Sequence, residues 1–190
     1  IIIHRSRLFP RFNAGKFFIS LNYLSFVFFG TFKLFSIKGN FDKIFVFAPS
    51  PITVGIVGIF AAKKFDAKSF IWVQDLWPES VKVAGNIENR FILKMIDKLT
   101  KIIYKYYDLI FVQSELFINH IKNQNVNESK IKYLPNFAND LYLNKKKPNL
   151  NHNKFSITFA GNIGKAQNLE ILIEVAQILK KKSEKLIFVI

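Results

Sequence analysis

Phe70-Ile71-Trp72-Val73-Gln74-Asp75-Leu76-Trp77-Pro78-Glu79-Ser80 is the stretch on which the fold of this chain turns. An apolar run from Ser69 to Val73, which includes the indole of Trp72, stops abruptly ahead of two carboxylates, a second indole and a proline. The run predicts a buried strand, and the polar residues after it predict a loop. Pro78 suits the first turn of a following helix, where its missing N–H costs nothing. In an open α/β sheet, ligands gather just beyond the carboxyl ends of the strands. Asp75 therefore stands where chemistry is expected first.

Working outward, strand and helix patterns alternate. On the N-terminal side, Ile1 to Leu8 reads as a strand, and Lys16 to Ser36 as an aromatic helix ended by Lys38-Gly39-Asn40. Asp42 opens a strand through Phe47, Ala48-Pro49-Ser50-Pro51 forms the loop at its end, and Ile52 to Lys64 follows as a helix. On the C-terminal side, Glu79 to Tyr107 reads as helical with an interruption at Gly85-Asn86. Its second half, from about Glu88, repeats Phe91, Met95, Leu99, Ile102 and Ile103 as the expected buried stripe. Asp108 to Val112 and Lys130 to Leu134 read as strands, with a helix from Ser114-Glu115 towards Asn123 between them. Residues 1–136 thus predict one α/β domain. Residues 137–153, rich in Asn and Lys, predict a linker. A new β-α-β unit is expected over 154–190: strand Lys154 to Ala160, loop Gly161 to Ala166, helix Gln167 to Lys182, strand Lys185 to Ile190. The alternation argues for parallel sheets with right-handed crossovers.

Composition narrows the function classes. There is no cysteine, which excludes disulfides and thiolate metal sites. His4, His120 and His152 are scattered without ligand spacing, so no metal site is expected. The formal charge of +15, from 28 Lys and Arg against 13 Asp and Glu, suits nucleic acid, an anionic membrane or phosphorylated substrates. A chain rich in Lys, Asn, Ile and Phe together also fits a biased coding composition, with many lysines on solvated faces. Phe17 to Phe32 contains no charged residue. Ser20, Asn22, Ser25 and Gly30 break up its apolarity, and it is read as a helix packed on a sheet that touches a bilayer surface rather than a span. The chain starts at Ile1 and stops at Ile190 inside an apolar run, and it is expected to be a piece of a longer protein.

Two constellations carry candidate chemistry. Asp75 in a cleft can take a proton from an attacking hydroxyl, and Glu79 follows four residues later in the first helical turn. The plainer reading of both is capping, since a carboxylate is electrostatically comfortable at a helix N-terminus. The second constellation is Phe159-Ala160-Gly161-Asn162-Ile163-Gly164-Lys165-Ala166-Gln167-Asn168-Leu169-Glu170, a strand, a glycine loop and a helix. Its backbone amides and Lys165 suit an anion, but G-x-x-G alone is also an ordinary tight turn. Val112-Gln113-Ser114 and Leu134-Pro135-Asn136, each ending a strand, are by themselves turn chemistry.

Taken together and in this order, Asp75-Leu76-Trp77-Pro78-Glu79-Ser80, Pro135-Asn136 and Ala160-Gly161-Asn162-Ile163-Gly164-Lys165-Ala166-Gln167 followed by Leu169-Glu170 resemble the retaining glycosyltransferases of the GT4 family. The subgroup most similar builds bacterial surface polysaccharides, fucosamine and colanic acid transferases among them. The resemblance implies a GT-B fold, with residues 1–136 as an incomplete acceptor domain and 154–190 opening the nucleotide-sugar domain. It implies transfer from a nucleotide sugar, usually a UDP-sugar, to a glycan or polyprenyl-diphosphate-linked acceptor, with no metal and no cofactor beyond the donor substrate. It places Asp75, with Glu79 nearby, on the acceptor side as the catalytic candidates. Gly161, Asn162, Gly164, Lys165 and Gln167 fall at the donor diphosphate. Asn162 and Gln167 stand where many family members carry an arginine and a lysine. The implied location is cytoplasmic, peripheral at the inner face of the plasma membrane. The 190-residue chain alone is expected to be inactive. The rival expectations are a GT-B-fold sugar-nucleotide epimerase and a basic protein that binds membrane surfaces or nucleic acid.

Overall fold

The computed structural model describes residues 1–12, 15–83, 85–140, 155–161, 163–164, 167–180 and 186–189. The chain divides into two units, Ile1–Asn136 and Phe137–Ile190.

The first unit is α/β, with α1 (Lys16–Ser36), β1 (Lys43–Ala48), α2 (Val54–Phe65), β2 (Lys68–Val73), α3 (Glu79–Val83), α4 (Arg90–Tyr106), β3 (Leu109–Val112), α5 (Leu116–Lys122) and β4 (Ile131–Tyr133). The four strands form one parallel sheet in the order β1-β2-β3-β4, an arrangement compatible with a Rossmann-like fold. The register sets Val46 beside Ile71 and Ile71 beside Ile110. Side chains alternate across a strand, so Ala48, Ile71, Val73, Ile110 and Val112 share one buried face. The helices supply the matching layer through Ile103, Tyr104, Tyr107 and Ile121.

Two glycines let α2 lie close on that layer. A methyl group added at Gly58 would overlap the Val46 side chain and the Tyr107 hydroxyl, and one at Gly55 would sit 2.8 Å from Ile103. The Tyr107 hydroxyl donates to the Gly55 carbonyl at 2.7 Å, which fixes the approach of α2 to the end of α4. Asp66, at φ 50, closes α2 in the left-handed region. Asn89 caps α4, its side chain accepting from the amides of Phe91 and Ile92 at 2.9 and 3.2 Å.

Three local expectations change. Ile1 to Leu8 forms no strand; it meets no strand partner, and Ile1, Ile2 and Ile3 are exposed. In α4, Leu99 and Ile103 face the core as expected, but Phe91, Met95 and Ile102 are exposed, and Ile96, Thr100 and Tyr104 take their places. The rotation of α4 follows its contact with α2 and the Tyr107 bond, because apolar residues occur on both of its faces. The aromatic helix α1, expected to pack on the sheet, packs chiefly on α2 instead, with Gly30 against Val57. Among the described residues α1 is the one helix long and apolar enough to cross a membrane.

In the second unit β5 (Phe155–Thr158) pairs in parallel with β6 (Leu186–Val189), and α6 (Leu169–Lys180) lies between them in sequence. Leu169 is its one buried apolar residue among those described.

Candidate functional site

Beyond the carboxyl end of β2 the chain turns through Gln74 to Pro78 into α3. Trp77 is buried in the core and anchors this loop. The amide of Gln74 donates to the Ala48 carbonyl at 3.1 Å, which extends the β1–β2 ladder one step past the sheet. Asp75 is thereby presented to a cavity of about 460 Å³. Its walls come from α1 (Ile19, Tyr23, Leu24), the β1–α2 loop (Ser50, Pro51) and the start of α4 (Ile92, Ile96), with Trp77 beside Asp75. The lining is largely apolar, and Ser20, Ser50, Ser80 and Lys16 add polar groups.

Burial in this cavity raises the Asp75 carboxyl above its ordinary value of 3.8, and a hydrogen bond with the Ser50 side chain partly offsets the rise. A carboxylate so placed is a better proton acceptor than one free in water. In the sequence Ser50 reads as part of the loop that ends a strand. Its role follows from the parallel β1–β2 register, which sets the two strand ends side by side.

Glu79 occupies a different place. It starts α3, and its Oε2 meets Nε2 of His120 on α5 at 3.0 Å; it does not line the cavity around Asp75. Next to this pair, the buried Gln124 donates from Nε2 to the Trp77 carbonyl at 2.9 Å. So α5 and the turn after it grip both ends of the Trp77-Pro78-Glu79 corner. No spacing in the sequence announces this grip, because His120 and Gln124 lie more than 40 residues downstream.

The two strand-end motifs after β3 and β4 converge. Asn136 Nδ2 donates to Gln74 Oε1 at 2.9 Å and to Gln113 Oε1 at 3.1 Å, while Gln113 Nε2 donates to the Gln74 carbonyl at 3.0 Å. Trp72 Nε1 donates to the Leu134 carbonyl at 2.9 Å. The chain leaving β4 is therefore stapled across the carboxyl ends of β2 and β3.

On the second unit, the Phe159 amide donates to the Val189 carbonyl at 2.9 Å. Gly161 and Gly164 follow, both exposed. The Gln167 amide donates to the Gly164 carbonyl at 3.1 Å, forming a turn ahead of α6. Asn162 and Lys165 lie outside the described residues. Compared with known proteins, the chain matches no family model and no curated sequence.

Proposed function

We propose that the chain is part of a retaining glycosyltransferase of GT4-like type with a GT-B architecture, and that the Asp75 cavity receives the acceptor. The observation that supports this reading most is the cavity itself. It opens at the carboxyl end of a parallel strand, the usual ligand side of such sheets. It sets one partly desolvated carboxylate against apolar walls. In this role Asp75 accepts or orients the proton of the attacking acceptor hydroxyl. Glu79, bound to His120, serves to fix the loop rather than to meet substrate. Gly161, Gly164 and Gln167, with Asn162 and Lys165, would face the donor diphosphate. There backbone amides and a cation stabilise the charge of the leaving group. The donor is a nucleotide sugar, with UDP-sugars favoured, and the acceptor a glycan or a lipid-diphosphate-linked sugar.

An amphiphilic acceptor suits the surroundings. Phe17, Leu24, Phe28, Phe32 and Phe35 are exposed on α1 and fall on one stripe of the helix. The stripe runs about 27 Å at 1.5 Å per residue. Leu24 belongs both to this stripe and to the cavity wall. With a net charge of +15, such a helix fits peripheral binding at the inner face of the plasma membrane.

The test is Asp75→Asn in the longest native polypeptide that contains this chain. Turnover of nucleotide sugar into acceptor product should fall 100-fold or more (a general base contributes about 10²–10⁴), with donor binding by calorimetry unchanged. Unchanged turnover would reduce Asp75 to a loop residue. Sugar-nucleotide conversion without any acceptor would favour the epimerase reading.

A further inference from the structure

Gln74, Gln113 and Asn136 each follow the carboxyl end of a strand, β2, β3 and β4 in turn. The parallel register sets Val73 beside Val112 and Val112 beside Tyr133, so the residues that leave these strands meet beyond one sheet edge. The Trp72 indole holds the last of them in reach through its bond to the Leu134 carbonyl, two residues before Asn136. Water could satisfy three amide side chains at a sheet edge. These three bond to one another instead.

One backbone atom decides how each amide points. The Gln74 carbonyl can only accept, so Gln113 turns Nε2 towards it, at 3.0 Å. Gln113 Oε1 then faces Asn136, which answers with Nδ2 at 3.1 Å. The same Nδ2 reaches Gln74 at 2.9 Å, so Gln74 presents Oε1. Gln74 Nε2 is the group left over. It is buried and has no hydrogen-bond partner among the described residues. A buried donor without a partner costs stability, and such an exception in a folded protein calls for a reason. Turning the Gln74 amide over would set Nε2 against Asn136 Nδ2. Turning Asn136 over as well would set two oxygens together at Gln113. The set closes only with the Gln74 carbonyl bonded.

That carbonyl belongs to the peptide group that carries Asp75. The Gln74 amide is held too, by the Ala48 carbonyl at 3.1 Å. With its amide, its carbonyl and its side-chain oxygen all bonded, Gln74 fixes the direction in which the chain enters Asp75. On the far side, Trp77 is buried in the core and its carbonyl accepts from Gln124 at 2.9 Å. Asp75 and Leu76 therefore span two fixed points. A twist of the Gln74–Asp75 peptide would swing the carboxylate, and a misplacement of about 1 Å in a reacting group can cost about 100-fold in rate.

We propose that Gln113 and Asn136 are positioning residues for Asp75: through the Gln74 carbonyl they hold its carboxyl in the cavity, in line for the acceptor hydroxyl. Gln113 acts directly on that carbonyl, and Asn136 acts by fixing Gln113 and the Gln74 side chain. The catalytic part of this role rests on the glycosyl-transfer reading; the hold on Asp75 does not.

The experiment uses Gln113→Leu and Asn136→Ala in the longest native polypeptide that contains this chain, with Asp75→Asn beside them. The first readout is the titration of the Asp75 carboxyl by carbon NMR, its signal assigned by its loss in Asp75→Asn. Burial raises this carboxyl above 3.8 in the parent, so a carboxyl released to water titrates at lower pH. Both variants should move its midpoint down, and neither alters Lys16, the other charged residue that lines the cavity. The second readout is turnover. In both variants kcat should fall about 10- to 100-fold, with acceptor KM and donor binding unchanged. The unfolding midpoint should stay within about 4 °C of the parent, which separates loss of position from general loosening. Carboxyl midpoints equal to the parent's in both variants overturn the proposal, whatever turnover does. So does full kcat in both where Asp75→Asn has lost it. Normal turnover in Asp75→Asn, with the carboxyl midpoints moved in the other two, sinks the glycosyl-transfer reading of Asp75 and upholds the hold on it.

Discussion

Two strand–loop–helix junctions in this chain look alike in sequence, the one after β2 at Asp75 and the one after β5 at Gly161. They differ in what stands behind them. The Asp75 junction is backed by Trp77 in the core, by Gln124 on the Trp77 carbonyl and by Glu79 on His120. Among its described residues, the Gly161 junction shows a backbone bond from Phe159 to β6 and a turn bond from Gln167 to Gly164. Several α6 residues, Ile171, Ile173 and Ile178 among them, remain exposed. Similar local patterns therefore yield a cavity backed by the core in one place and a turn with exposed glycines in the other. Contacts distant in sequence make the difference.

Glycine substitutions should separate the two units most. Gly58→Ala drives a methyl into Val46 and the Tyr107 hydroxyl. Overpacking at the upper end of about 1–3 kcal/mol outweighs the gain of about 1 kcal/mol in helix propensity. A net loss of about 2 kcal/mol in the first unit is expected by thermal unfolding. Gly164→Ala meets only the tip of the Gln167 side chain, at 3.0 Å, and should change stability by less than about 0.5 kcal/mol. Equal losses would erase the contrast.

Gln124→Leu should come next. It strips the Trp77 carbonyl of a buried donor and should cost about 1–2 kcal/mol. Trp77 emission should shift in parallel, and an unshifted emission would mean that the loop does not depend on α5.

Two carboxylates should respond to pH in opposite directions. Asp108 accepts from the Ser69 amide at 2.7 Å and from the Ser69 hydroxyl at 3.0 Å. These bonds, the backbone one first, hold its carboxyl below 3.8 despite some desolvation, with Lys68 and Lys130 nearby. Its contribution is therefore present above pH 3.8 and lost as pH falls through the depressed value. Asp108→Asn should cost about 1 kcal/mol at neutral pH, and the difference should shrink on acidification. Asp75, raised above 3.8 by burial, favours the folded state below pH 3.8 and loses that contribution as pH rises through the elevated value. Asp75→Asn should therefore be slightly more stable than the parent at neutral pH. Urea titrations across this range check both signs.

His120→Ala should have the smallest effect, within about 0.5 kcal/mol, because Glu79 and His120 are partly exposed. A larger loss would move the main support of the Asp75 loop from Gln124 to the ion pair.

Much of the fold was legible as periodicity. The aromatic helix, the four strands and the break at Gly85 could be read from apolar runs and their punctuation, and so could the placement of Asp75 beyond a strand end. The face of α4 could not. Phe91, Met95 and Ile102 are as apolar as the residues that replaced them, and the bond from Tyr107 to Gly55 chose between them. Gln113 and Asn136 read as turn residues until the β2–β3–β4 register brought both to Gln74.

By itself the sequence determined the alternation of strands and helices and the residue types at each strand end, because backbone propensity and side-chain period act over a few residues. Only the tertiary structure decided which strand ends are neighbours, which helix face is buried, and that Asp75 meets a cavity with Ser50 while Glu79 turns to His120. Those outcomes depend on packing between segments tens of residues apart, where small differences in buried area and single hydrogen bonds choose among arrangements that the local sequence leaves equivalent.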